Sequence, residues 1–419
     1  MHSPKRPKRS ILHPTALSTV LFLLAALAIE LVDELVDGAN GAAWPQIQLD
    51  LSLSYTEVGL IIGLPYVIGS LIDPILGLLA DAGYRRQLIL GGGLFFVLAL
   101  IVTTFASGFW SLLLAFIVFF SASGAFVSLT QAALMDADPA RREQNMARWA
   151  LAGSLGNAVG PLLVGLAALL SLGWRPVFAL LAALTVVALI LVWRQRSLLG
   201  SLTPLSSTEQ DPDKPSSVKT TLLEGIKEAL KELQRGEVQA NLVLLECANL
   251  MLDVFRGFLA LYFVDTVGAT PAQAALTVIV LTGVGLLGDA LVVGLLERVS
   301  GVWYVRLSAL LMALVFPLFL LVPTFGLKLA LLGVLGMLNA GWYAVLQARL
   351  YDLIPDRSGI VLTIGVVTEG LAGGIPILLG VLAEQFGVGT AMWLLLLGPR
   401  ARWFGLPRVN RWNRCTFDE

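Results

Sequence analysis

The sequence is poor in the residues that most enzyme chemistry uses. It has two histidines and two cysteines in 419 residues. His2 and His13 both precede the first long apolar run, so no imidazole is placed within the runs for acid/base, triad or zinc chemistry. Cys247 stands inside an apolar run and Cys415 near the end of the chain, which excludes a disulfide framework and a thiolate metal cluster. Charge is scarce as well: Asp, Glu, Lys and Arg make up 14% of the residues, against about 25% in a soluble domain. The net charge of -1 excludes a global field aimed at nucleic acid. One dinucleotide-like spacing, Gly283-Val-Gly285-Leu-Leu-Gly288, lies in an apolar run with no strand before it and is discounted. With no nucleophile, metal site or phosphate cradle, neither an enzyme nor a cofactor is expected.

Apolar sequence is what the chain has in excess. Hydrophobic residues make up 57% and the mean hydropathy is +0.82. Apolar runs fall near 15–43, 55–80, 87–106, 109–135, 145–171 and 174–193, then near 238–264, 271–297, 302–322, 326–353 and 358–384, with a twelfth starting near 388. Twelve spans of about 20 to 25 residues use roughly 240 to 300 residues, which this length supplies. They must be helices, because an open strand edge cannot be satisfied in hydrocarbon. The basic residues Lys5, Arg6, Lys8 and Arg9 before the first run resemble a signal peptide, but that run continues into Glu30-Leu-Val-Asp-Glu-Leu-Val-Asp37 and is read as an uncleaved span.

Lysine and arginine set the orientation. Of the 28, only Arg175 and Lys328 fall on the side opposite the N-terminus, and Arg256 lies within a span. Both termini are therefore expected in the cytoplasm of a multi-pass protein of the cell membrane. A serine-, proline- and charge-rich linker follows the sixth run and ends in a short amphipathic helix near Thr221 to Leu233, expected on the cytoplasmic surface. The expected organisation is a six-helix half over 1–194, this linker over 195–237 and a second half over 238–419.

A shift of 216 residues superposes rare polar residues: Glu30 on Glu246, Asp37 on Asp253, Asp73 on Asp289, Gln131 on Gln347 and Asp136 on Asp352. With 15 aspartates in the chain, chance gives about a quarter of one Asp pair at a given shift; three occur. Parallel six-span repeats joined by a long linker form an architecture in which substrate binds between rocking halves.

Two motifs carry a resemblance. After the second run stands Gly77-Leu-Leu-Ala-Asp81-Ala-Gly83-Tyr-Arg85-Arg86, and the fifth contains Gly156-Asn-Ala-Val-Gly160-Pro161-Leu-Leu-Val-Gly165. The first resembles the loop between spans two and three of the major facilitator superfamily, with Gly83 one position early. The second is similar to that superfamily's fifth-span motif, with Val164 in place of a glycine. The resemblance implies an all-α fold of two pseudo-repeated six-helix bundles, a cytoplasmic gate at Gly77, Asp81, Gly83, Arg85 and Arg86, and moving helix packing at Gly156, Gly160, Pro161 and Gly165. Gly294-Leu-Leu-Glu297-Arg298 looks like a degenerate copy of the gate. Weaker similarity points to the fosmidomycin-resistance branch of exporters. Phe120 stands about where many drug exporters carry an arginine, so a proton relay through that residue is absent.

The acids inside the runs are the costliest residues, at least ~2.5 to 3.5 kcal/mol each near the bilayer centre. Glu30, Asp33 and Asp37 share one helical face, and depth counted from the run ends puts Glu30 nearest the middle and Asp37 nearer the outside. Glu246, Asp253 and Arg256 occupy the seventh run, with Arg256 expected to pair with Asp37 or Asp253. This set is expected to line a cavity, with Asp33 or Glu30 carrying a coupling proton; the rival is a static polar seal. Asp73, Asp289 and Glu369 are secondary cavity or gate candidates.

The expected function is alternating-access, proton-coupled export of a small amphipathic compound, the partners being that substrate, protons and the lipid bilayer. The alternatives are a proton-coupled uptake symporter and, in a different class, a non-transporting sensor or scramblase. A monomer is compatible with all of these. The twelfth run has about eleven apolar residues, too few for a core of ~30 Å, so the last helix is expected to be short or truncated before a basic tail bearing Trp403 and Trp412.

Overall fold

The computed structural model describes residues 16–137, 141–196, 231–296, 298–354, 364–365, 368 and 370–405. They form helical rods throughout, termed spans one to twelve here. In the first half these are Ala16–Leu51, Tyr55–Leu79, Arg85–Thr104, Phe109–Ser123 continuing through a π-turn into Leu129–Ala137, Arg142–Leu169 and Arg175–Arg194. In the second they are Gly236–Asn249 continuing through a π-turn into Phe255–Asp265, Pro271–Leu296, Gly301–Leu321, Phe325–Asn339 with Trp342–Leu353, Gly374–Phe386, and Val388–Ala391 running through a tight turn into Leu397–Gly405. Among the described residues eight helices are long and apolar enough to cross a membrane. The linker helix, Glu369, Glu297 and the tail beyond Gly405 lie outside the described residues.

Span one departs most from its hydropathy. The apolar run fades near residue 43, yet the helix continues to Leu51 through Pro45. The sequence there is small and polar, but Ala42, Ala43, Trp44 and Ile47 are all buried against neighbouring helices. The midpoint of the rod consequently lies between Asp33 and Glu34, not at Glu30 as the run ends suggest. Span ten departs by breaking: Ala340 leaves helical geometry with ψ 141° and Gly341 takes φ +69°, a left-handed conformation suited to glycine.

The repeat is visible in local chemistry. The corner between spans one and two places Ser52 at φ 51°, then Ser54 caps span two: its hydroxyl accepts from the Glu57 backbone N–H, while the Glu57 carboxylate accepts from the Ser54 N–H. Exactly 216 residues on, Gly268 has φ 74° and Thr270 and Gln273 exchange the same two bonds. Both corners are capping boxes that satisfy otherwise orphaned N–H groups at a helix start.

Among the described residues the halves meet mainly along three helix pairs, with a smaller contact between spans one and eight. Span two packs on span eleven through glycine: a side chain on Gly59 would stand 2.6 Å from the Pro376 carbonyl, and one on Gly380 would stand 2.5 Å from that of Tyr55. Span five meets span eight at Gly165 and Ala275, and span one meets the Phe255–Asp265 part of span seven at Gly41 and Arg256. At the end bearing the two corners, Tyr55 of span two donates its hydroxyl to Asp265 of span seven and its N–H to Glu384 of span eleven, the latter at 2.6 Å. Toward the opposite end span two presents Leu71 and Ile75 exposed, and no described residue lies within 4 Å of where a side chain on Gly77 would stand.

Lys328, placed by its sequence in an outer loop, is buried at the start of span ten. Its ammonium donates to the Tyr262 hydroxyl at 2.6 Å and to the Phe319 and Leu320 carbonyls at 2.7 and 3.1 Å. Those are among the last carbonyls of span nine, which lack partners within their own helix. A cation at a helix C-terminus satisfies both the carbonyls and the dipole.

Candidate functional site

The acids of span one sit where glycine lets span five come close. A side chain on Gly156 would stand 2.5 Å from the Leu31 carbonyl and one on Gly160 would stand 2.6 Å from the Ala39 nitrogen. In return, a side chain on Gly38 would stand 2.6 Å from the Asn157 carbonyl and 2.9 Å from Pro161. The fifth-span motif is therefore a packing seam, and Gly165 extends it across to span eight. Asn157, between the motif's first two glycines, is carried by this seam against the acidic face.

Asn157 then joins the two halves. Its amide nitrogen donates to Glu34 at 2.8 Å and makes a longer contact to Asp37 at 3.5 Å, while its oxygen accepts from Arg256 of span seven at 2.8 Å. Arg256 also reaches Asp37 at 2.7 Å and Asp253 at 3.2 Å. Its planar fork thus holds a carboxylate in each half and the amide between them, a geometry that a lysine ammonium does not reproduce. Asp253 is presented by the π-turn Leu250–Val254, one of the local expansions that recur at functional sites.

Asp33 and Glu30 lie apart from this arginine. Asp33 accepts from the Ser123 hydroxyl of span four at 2.9 Å. Glu30 is 8% exposed and sits against Gly153 and the buried Trp149 of span five. Among the described residues no cation is paired with either. Glu246 accepts from Asn249 one turn along its own helix, at 3.1 Å. The structure thus gathers Asp33, Glu34, Asp37, Asp253 and Arg256 around Asn157 and Ser123, with Glu30 one turn away and Glu246 engaged separately.

The secondary candidates divide. Asp289 of span eight accepts from the Gly341 N–H at 2.8 Å, at the break in span ten. Asp73 of span two lies against Gly124 at the π-turn of span four. Phe120 stacks on Tyr66 with ring centroids 4.7 Å apart, filling with an aromatic wedge the place considered for an arginine.

The gate motif forms a turn in which Gly83 has φ +96°, a value that favours glycine. Gly77 ends span two and Asp81 lies on the π-turn Ala80–Tyr84. Arg85 pairs with Asp136 at the end of span four at 2.7 Å, joining spans within the first half, and Arg86 is exposed.

Sequence reasoning gave no role to Asn157, Ser123 or Trp149, and it counted Glu34 among the costly acids of span one without placing it on the shared face. The available signal was their polarity within apolar runs; what was missing was the helix facing each of them. No group of three or more potential metal ligands occurs among the described residues.

Known proteins resemble this chain in sequence and in fold. The uncharacterized MFS-type transporter YfnC of Bacillus subtilis (strain 168) is 25% identical over 390 residues, covering 90% of each chain. Among solved structures, a bacterial homologue of the human lysosomal transporter Spinster, inward-facing and unoccupied, superposes with a TM-score of 0.74 at 14% identity, over 94% of this chain and 98% of that one. A D-xylose-proton symporter gives 0.66 at 17% identity, over 93% and 97%. These structural likenesses establish the fold, and the family model of the Major Facilitator Superfamily matches residues 19–377, from the first span into the eleventh: the chain belongs to that superfamily of membrane transporters.

Proposed function

We propose that this transporter is a proton-coupled exporter of a small amphipathic compound, working by alternating access. The observation that carries the proposal is the imbalance at the centre: Asp33 faces a neutral hydroxyl and Glu30 has no cation paired with it among the described residues, while Arg256 is already shared by Asp37, Asp253 and Asn157. A carboxylate without a cation in a water-poor site is stable when it takes up a proton, and it can release that proton when water reaches it. Asp33 stands first, because its partner Ser123 lies at the π-turn of a different span, so movement of span four alters its surroundings. Glu30 stands second, and the Arg256 contacts are the link that proton transfer loosens or tightens between the halves.

The positive-inside asymmetry supports a corner end on the outer side of the membrane and the end of span two that bears Leu71 and Ile75 on the cytoplasmic side. The resemblance of the Gly156–Gly165 motif to the fifth-span motif of proton-coupled exporters supports export over uptake. The plasma membrane is the proposed location, with the N-terminus in the cytoplasm.

The test begins with a resistance and transport screen, with and without an uncoupler, to supply a substrate. Glu30→Gln, Asp33→Asn and Asp37→Asn are then placed singly in proteoliposomes of known orientation under an imposed pH gradient. Asp33→Asn is expected to leave exchange of substrate intact while abolishing accumulation driven by the gradient. Unchanged coupling in all three variants would overturn the proton assignment, and counterflow toward the cytoplasmic face alone would replace export by uptake.

A further inference from the structure

The two halves treat their fourth spans differently, and the difference centres on Asp73 and Asp289. These residues are related by the 216-residue shift, as are Ala125 and Gly341. In the second half the span is broken at Ala340–Gly341, and Asp289 accepts the Gly341 N–H freed by the break, at 2.8 Å. In the first half the span runs on through the π-turn Gly124–Ser128. There Asp73 lies so close that a side chain on Gly124 would stand 2.7 Å from its Oδ1. That oxygen is buried without a hydrogen-bond partner among the described residues.

A buried acceptor left unsatisfied costs the desolvation of that group, so it calls for a donor supplied in some other arrangement. The repeat identifies the donor. We propose that Asp73 is a positioning residue for a second conformation of span four, in which the π-turn opens into a break and the Ala125 N–H turns to Asp73 as the Gly341 N–H turns to Asp289. A π-turn already carries one surplus residue, so converting it to a break needs no change of register beyond the turn. Gly124 is the residue that permits the carboxylate to approach, and Ser123 beside it holds Asp33 at 2.9 Å. Opening the turn therefore shifts the donor on which Asp33 rests. The device does not depend on which ion drives transport.

Hydrogen–deuterium exchange of the full chain in lipid nanodiscs tests it, read on peptides covering residues 124–128 and 340–344. Asp73→Ala removes the acceptor that stabilises the opened turn, so exchange at 124–128 is expected to slow by about tenfold. Asp73→Asn retains an acceptor oxygen and is expected to stay within about threefold of the parent. Asp289→Ala takes the cap from a standing break and is expected to speed exchange at 340–344. A merely structural Asp73 has the opposite signature: its removal loosens the packing, and exchange at 124–128 rises. Exchange in Asp73→Ala that equals or exceeds the parent, or that Asp73→Asn fails to restore, overturns the proposal. Should Asp73→Ala fail to fold, Asp73→Leu removes the acceptor while conserving volume, and the same slowing is required of it.

Discussion

The first and seventh spans descend from the same repeat and hold opposite shares of the central charge. Position by position, Glu30 corresponds to Glu246 and Asp37 to Asp253, but Asp33 corresponds to Asn249, Glu34 to Leu250 and Asn40 to Arg256. Between the helix ends, span one therefore carries the four carboxylates of Glu30, Asp33, Glu34 and Asp37, and span seven carries those of Glu246 and Asp253 together with the arginine. The first half needs a cation that only the second supplies, and the Arg256 contacts to Asp37 and Asn157 cross between them. Divergence of the repeats made the halves electrostatically complementary at their midplane while leaving the corners, with their paired capping boxes, alike. A transporter that must part and rejoin its halves gains a reversible tie from such a contact, since partly hydrated ion pairs exchange for water at modest cost.

The largest effect follows from removing that tie. Arg256→Ala leaves Asp37, Asp253 and Asn157 without their shared donor. Charged hydrogen bonds of this kind are worth about 1.5 to 3 kcal/mol, the exposure of the two aspartates favouring the lower end. Thermal denaturation in detergent should register this loss, and transport should fall at least tenfold. Arg256→Lys should recover stability in part and transport hardly at all; full recovery by lysine would show that charge alone, without the two-armed geometry, suffices.

A smaller effect sharpens the comparison between helix seams. Gly160→Val forces branched volume against the Ala39 backbone and should destabilise by about 1 to 3 kcal/mol. Gly165→Ala, whose added carbon would meet Ala275 at an ordinary 3.4 Å, should be close to neutral in the same melting experiment. Equal losses at both positions would remove the distinction between the tight seam within the first half and the looser one between halves.

The smallest effect concerns the gate motif. Arg85 holds Asp136 in the first half, whereas the equivalent positions of the second are Gly301 and Asp352, so the same tie cannot form there. Arg85→Ala should cost about 0.5 to 1 kcal/mol by equilibrium melting, with the deficit reduced in high salt. A salt-independent deficit would identify packing of the arginine stem as the cause.

Most span boundaries were legible because lipid imposes a long apolar run on each helix. Legibility failed where protein replaced lipid. The continuation of span one through Trp44 and Pro45 was invisible because small and polar residues are tolerated there by burial against other helices. The break in span ten hid inside a stretch read as one apolar run near 326–353, because Asn339, Ala340 and Gly341 interrupt it too briefly to separate two runs. Lys328 looked like a loop cation because its role is to satisfy carbonyls of a neighbouring span that sequence cannot locate.

The sequence by itself determined the fold class, the repeat and the acids that must be sheltered, because hydropathy, a fixed 216-residue offset and the cost of charge in hydrocarbon are all properties of the chain read in order. Which partners those acids obtain was decided only by the tertiary structure. Asn157 comes from span five, Ser123 from span four and Arg256 from the other half, and their positions depend on how closely glycine allows the helices to approach. Hydrogen bonds act over about 3 Å, and such distances are set by packing between residues far apart in the chain.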